Sequence, residues 1–299
     1  MSHTEAKMFD VPSIGCDGDG FFVDSKGTPV SVIGKLGGEK GNPQTCEHGG
    51  YLEDCVAFEI NPEPVPYSGD LNESAGLFAR NIHHCLRAVN VKAQELKLKT
   101  KLQSSMLFPA SELLHPDAQV SGCSASYDAW SLTRTSPPNL AETRWRFASG
   151  DIHVGWPNPN EWGKFARVNV ARVLDLVFYS AMVAYTEKDE RANSYGKPGT
   201  HRPTPYGVEY KSVSNFWMTS QAGCKWAYKS ALKAMRWGLN MTADFQKRSN
   251  NFDWGNEPRY EGTAETVELM AARWDRDRAL YILEEYEVAT PPASIMTRK

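Results

Sequence analysis

The sequence lacks most of the short motifs that announce a chemistry. None of its six cysteines (Cys16, Cys46, Cys55, Cys85, Cys123, Cys224) belongs to a Cys-x-x-Cys pair, which argues against a zinc ribbon. The first residues, Met-Ser-His-Thr-Glu-Ala-Lys, carry no apolar stretch of a secretion signal, so reduced thiols and a cytoplasmic location are expected. No run reaches the roughly 18 apolar residues of a membrane span. Gly196-Lys197-Pro198 lacks the upstream glycine and the hydroxyl of a phosphate loop, and neither Gly-x-Ser-x-Gly nor His-Glu-x-x-His occurs. The glycine-rich stretch 34–41 runs into Asn42-Pro43 and not into a helix start, so it is no dinucleotide fingerprint. A net charge of −3 over 299 residues gives no signal for nucleic acid. There is no internal repeat and no low-complexity linker.

What the sequence does contain is a recurring polar pair inside apolar, strand-like segments. Asp17 and Asp19 stand in one, Asp151 and His153 in a second, and Glu209 and Lys211 in a third. Glu53 and Glu59 bracket Asp-Cys-Val-Ala-Phe in a fourth. Side chains alternate across a strand, so even spacings place each pair on one face of a sheet. Adjacent strands of this kind would line that face with carboxylates, which repel unless cations hold them together. Hard oxygen donors suit Mg²⁺ or Mn²⁺. Cys46-Glu47-His48 has metal-ligand residue types but reads as a structural loop, and the Lys92–Lys101 stretch as a solvated helix face.

Strands are expected over 14–23, 30–33, 52–61, 105–109, 143–155 and 206–213. Helices are expected over 70–98, with Asp70 as cap, and over 161–185, 187–194, 224–247 and 264–285. Strands and helices do not alternate as βαβ units. The expected class is α+β, a curved and mainly antiparallel sheet covered by helices. One domain is expected over 1–299, with a sheet-bearing core at 14–220, a helical layer at 222–287 and a flexible tail from 288.

A family resemblance lies in the longer motifs. Gly15-Cys-Asp-x-Asp-x-Phe-Phe22, Gly34-x-x-Gly-Gly-x-Lys-x-x-Pro43 and Glu53-Asp-x-Val-Ala-x-Glu-x-Asn61 resemble the carboxylate–amine ligases of tailed phages. So do Gly122-Cys123 with Tyr127-Asp128-Ala129, Ser149–Gly155, and the block from Arg191 through Tyr195-Gly-Lys, Arg202 and Glu209-Tyr-Lys211 to Trp217. Those enzymes look like relatives of glutamate–cysteine ligase and glutamine synthetase, and the match runs in order over about residues 14 to 240. The resemblance implies an ATP-dependent ligase with Mg²⁺ or Mn²⁺, in which a phosphorylated carboxylate is attacked by an amine. By that analogy Asp17, Asp19, Glu53, Glu59, Asp151 and Glu209 are metal ligands, and His153, Lys197, Arg202, Lys211 and Lys40 meet ATP. Arg202, Lys211, Glu209 and Arg191 are the catalytic candidates. The partners implied are ATP, an acid and an amine, in the host cytoplasm if the gene is a phage's; an oligomer is left open.

This chain departs from the family at three points. It has Gly150-Asp151-Ile152-His153 where the pattern reads Gly-His-Ile-His, Lys211 where Arg is common, and Asp19 where Glu is preferred. Two rivals stand beside the ligase: a catalytically silent nucleotide-binding relative, which the Asp151 and Lys211 departures favour, and a metal-dependent phosphohydrolase using the same carboxylates.

Overall fold

A computed structural model describes residues 11–122, 125–248 and 258–297, and for 244–248 and 258–262 the backbone alone. Cys123, part of one motif above, lies outside the described residues. The strands are β1 (Ser13–Val23), β2 (Pro29–Val30), β3 (Gln44–Cys46), β4 (Gly49–Asp54), β5 (Ala57–Pro62), β6 (Val65–Pro66) and β7 (Lys99–Lys101). Next come β8 (Ser105–Leu107), β9 (Ser126–Asp128), β10 (Arg134–Thr135), β11 (Trp145–Phe147), β12 (Gly150–Gly155), β13 (Thr200–Thr204) and β14 (Gly207–Tyr210). The helices are α1 (Leu71–Glu95), α2 (Gly163–Tyr185), α3 (Glu190–Ser194), α4 (Gln221–Arg248), α5 (Pro258–Arg273) and α6 (Arg276–Glu285).

The fold is α+β, and every strand pair among the described residues is antiparallel. The main sheet runs β10-β9-β13-β14-β12-β1-β5-β4-β3, with β2, β6 and β7 also pairing with β1; β8 and β11 form a separate ribbon. β1 is the hinge of the whole layout because its two faces differ. Ile14, Cys16 and Phe22 enter the main core under the helices, while Phe21 and Val23 belong to a second, smaller core. Asp17 and Asp19 lie on that second face, between its apolar end and the solvent.

The helical layer follows from apolar periodicity. Asp70 caps α1 by accepting from the backbone N–H of Asn72 and Glu73, and Ala75, Phe78, Ile82, Cys85, Val89 and Ala93 form its buried stripe. α2 is long and apolar enough to cross a membrane, and 83% of its most apolar window is buried inside the fold. Gly238 of α4 lets that helix close on α2, since a Cβ there would sit 2.7 Å from the Val170 Cα.

Three expected elements are each two. The strand over 52–61 is the hairpin β4–β5, turning at Cys55 with φ +55°. The strand over 143–155 is β11 and β12, in different sheets. The helix over 264–285 breaks at Trp274 (φ +52°), after which Asp275 caps α6. The expected flexible tail is docked as far as Thr297. Its Ile295 is buried, the backbone N–H of Thr297 donates to the Tyr185 carbonyl (2.9 Å), and the Trp226 indole donates to the Ala289 carbonyl (2.8 Å).

Candidate functional site

Register fixes which side chains meet. Asp17 stands opposite Asp151 across β1–β12, and Asp19 opposite Glu59 across β1–β5. His153 stands opposite Glu209 across β12–β14, and Glu209 opposite Arg202 across β13–β14. Directly opposed residues share a face, so these side chains form one row across five strands. Most of the face anticipated from residue spacing is therefore assembled as a single surface.

The row divides into two halves of different electrostatic character. In the first, protein cations already answer the acids. Lys211 Nζ donates to Asp151 Oδ2 and to Glu209 Oε1 (2.8 Å), all three groups being buried. Arg202 Nε donates to Glu209 Oε2 at 2.6 Å. His153 Nε2 lies 3.2 Å from Asp17 Oδ2, an ion-pair distance without hydrogen-bond alignment, and its Nδ1 meets the Tyr206 hydroxyl at 2.6 Å. Burial pushes Asp17 up, but His153 and the Asn61 amide overrule it and hold the carboxyl down at about 2. Burial likewise works against a charged His153, yet Asp17 raises the imidazole above its ordinary value. Burial also raises Glu209, and Lys211 reverses that and lowers it. At Asp151 burial wins over Lys211 and the shift is upward, with Oδ1 buried and without a hydrogen-bond partner.

In the second half the acids are less fully answered. Asp19, Asp54 and Glu59 bring carboxylate oxygens within 4.8 Å of one another. Burial, then the charges of Asp54 and Asp151, push Asp19 up to about 8, although Ser149 donates to it from both its backbone N–H (2.9 Å) and its hydroxyl (2.7 Å). Burial and the neighbouring Asp17 and Asp19 raise Glu59 well above the carboxylate range. Lys40, half exposed, reaches Asp54 Oδ1 at 3.4 Å and donates to the Gly122 carbonyl at 2.6 Å. The Asn61 amide joins the halves, donating to Asp17 Oδ1 (3.0 Å) and Glu59 Oε1 (2.9 Å). A cavity of about 50 Å³ borders Asp19 and Asp54, and one of about 170 Å³ borders Asp17, His153 and Tyr206.

This donor set fits a hard divalent cation. Its oxygens are crowded, burial and mutual repulsion raise the Asp19 and Glu59 carboxyls, and Asp151 keeps a buried oxygen without a hydrogen-bond partner.

Three expected site residues lie apart from the row. Glu53 sits across the β4–β5 turn from Glu59, and the turn reverses the parity of the strand. Its carboxylate accepts from the backbone N–H of Gly34, Lys35, Leu36 and Gly37 (2.8–3.0 Å), making it the anchor of the glycine loop and not a member of the row. Arg191 is buried, donates to the Ser212 (2.9 Å) and Lys211 (3.0 Å) carbonyls, and stacks on Tyr195. It orients the strand end that carries Lys211. Lys197 is exposed in the turn before β13. Residue spacing overlooked Asp54, Asn61, Ser149 and Tyr206. Asn61 was within reach of that reasoning, standing two residues beyond Glu59 on the same strand.

No family model and no curated protein sequence matches the chain. Among solved structures, apo GmaS is similar at 10% identity and a TM-score of 0.36, covering 94% of this chain and 70% of that one. A novel glutamine synthase homolog is similar at 12% identity and a TM-score of 0.37, covering 92% of this chain and 64% of that one. A bifunctional glutathione synthetase from Pasteurella multocida is similar at 10% identity and a TM-score of 0.42, covering 99% of this chain and 52% of that one. The chain thus spans between about half and 70% of the length of these proteins. At such TM-scores the likeness is one of general layout, and the chemistry of the site rests on its own geometry.

Proposed function

We propose that this protein is an ATP-dependent carboxylate–amine ligase that forms an amide bond through an acyl phosphate. The observation that carries this reading is the juxtaposition, on one sheet face, of a crowded carboxylate trio with a row of cations. Phosphoryl transfer needs both, since metal ions neutralise the phosphate oxygens while Lys and Arg meet the transferring group. Asp19, Asp54 and Glu59 would hold Mg²⁺ or Mn²⁺, with Asp151 and Asp17 beside them. The ion, when bound, supplies charge neutralisation at the polyphosphate. Arg202 and Lys40, the more exposed cations, bind phosphate oxygens. His153, fixed by Asp17 and Tyr206 on the middle strand of the row, would orient an acyl oxygen. Glu209 positions Arg202 and Lys211 instead of standing free as a ligand.

The test is an ADP-release screen over paired acids and amines with Mg²⁺ or Mn²⁺, with products read by mass spectrometry. Release that requires both partners, and that falls by orders of magnitude in Glu59→Gln, is expected. ADP release without an amine would make the protein a phosphohydrolase. Nucleotide binding without turnover would make it a silent relative, a reading favoured by the full engagement of Lys211 between Asp151 and Glu209.

A further inference from the structure

A second group of metal-ligand side chains lies outside this row, at the far edge of the sheet. The two-residue turn between β3 and β4 is Glu47-His48, with Cys46 opposite Gly49. His48 takes φ +63°, a conformation that glycine or asparagine adopts more cheaply. The turn folds onto the middle of α1, where His84 is waiting. The Glu47 carboxylate lies between the two rings, with Oε2 at 3.0 Å from His84 Nδ1 and Oε1 at 3.5 Å from His48 Nε2. The ring centroids are 5.1 Å apart.

Both nitrogen–oxygen distances are close to the donor–donor spacing of a metal's coordination shell, and one ligand atom from each of the three residues lies within 4.8 Å of the others. Zinc bonds to imidazole nitrogen and carboxylate oxygen are about 2.0–2.1 Å, so a tetrahedral arrangement places neighbouring donor atoms roughly 3.3 Å apart. The remaining nitrogen of His48, Nδ1, faces Glu63 Oε2 at 3.9 Å. An outer carboxylate behind a ligating imidazole is the usual way of fixing the tautomer that presents the other nitrogen to a metal. Two imidazoles and a carboxylate, each imidazole about one-third exposed (31% and 32%), leave the fourth position open to water.

We infer that His48, His84 and Glu47 form a binding site for a borderline divalent transition ion such as Zn²⁺, with Glu63 as its outer partner. The donor set differs in kind from the oxygen-rich sheet face, so the two sites select different metals. The site also joins the sheet edge to α1, so the ion ties together two elements distant in sequence. Cys46 and Cys85 flank it with sulfurs 3.5 Å apart, and they stand outside the donor set.

The test uses the purified full chain in excess Mg²⁺, which occupies oxygen donors, and titrates Zn²⁺ against a chromophoric chelator. One Zn²⁺ per chain is expected, raising the thermal midpoint. His84→Ala and His48→Ala should each abolish that binding while keeping the metal-free midpoint, and Glu63→Gln should weaken it about tenfold. Glu59→Gln should bind Zn²⁺ as the parent does, which keeps this result independent of the ligase reading. Zn²⁺ binding unchanged in both histidine variants, or no Zn²⁺ retained by the parent, would overturn the proposal. So would a thiolate-to-metal charge-transfer band on loading with Co²⁺, because it would place the cysteines in the shell.

Discussion

Asp151 and Lys211 are two of the positions at which this chain leaves the ligase pattern, and the structure puts them in contact. Aspartate at this buried position is an acid that needs a partner, and lysine is the compact cation that meets it. Lysine also spans two acceptors at once, reaching Glu209 from the same ammonium. The two residues therefore act as one buried ion pair, each offsetting the cost of burying the other. Asp151→Asn removes one of the two carboxylates that Lys211 bridges, and Lys211→Met removes the cation between Asp151 and Glu209. Each change is expected to cost about 3–5 kcal/mol in urea unfolding, the scale on which losing one member of a buried ion pair registers. The double variant should lose less than the sum, with a coupling of about 1–3 kcal/mol. Strict additivity would mean that the two residues act separately.

At the scale of elements, what the sequence disclosed depended on whether a strand was continuous. Asp17 with Asp19, Asp151 with His153, and Glu209 with Lys211 each stand within an unbroken run, or one step past its end, so a period of two placed them on one face. Glu53 and Glu59 defeated the same reasoning because a hairpin lies between them. Its left-handed residue is Cys55, which gives no turn signal, and the reversal brings Asp54 to the row in place of Glu53. The pairing of Lys211 with Asp151 was equally hidden, since it depends on the register of β12 against β14 and not on spacing within either. A π-turn is another feature that periodicity does not disclose. Residues Asp175–Tyr179 form one inside α2, and there Asp175 accepts from the Trp130 indole (2.6 Å) and the Tyr210 hydroxyl (2.7 Å). Burial raises its carboxyl to about 7 despite those donors. The folded protein therefore keeps a proton that the unfolded chain, near the ordinary value of 3.8, has released. Its contribution is present at low pH and is lost as pH rises from about 4 to about 7. The stability of the parent relative to Asp175→Asn should accordingly fall over that window, by up to about 1.4 kcal/mol per pH unit. A difference independent of pH would show that this carboxyl is ionised in the fold.

On the scale of the whole molecule, one sheet face carries the charged row and the other is sealed by α1, α2, α4 and the docked tail. Ile295 enters the main core, and Ser294 meets Ser220 at 2.7 Å near the start of α4. Truncation after Ala289 is expected to cost about 1.5–3 kcal/mol, the worth of one buried isoleucine, and to lower the thermal midpoint accordingly. An unchanged midpoint would show that the segment rests on the surface without supporting it. The central place of β1 has a further consequence, which lies in time. Asp19 and its β12-side partner Ser149 are 130 residues apart, whereas β1, β4 and β5 lie together in the first fifth of the chain. Ribosomes add about 5–20 residues per second, so Asp19, Asp54 and Glu59 leave the tunnel roughly ten seconds before the strands that bear Arg202 and Lys211. The crowded acids of β1, β4 and β5 are thus made with Lys40 beside them, and the cations of the far strands, Arg202 and Lys211, arrive last.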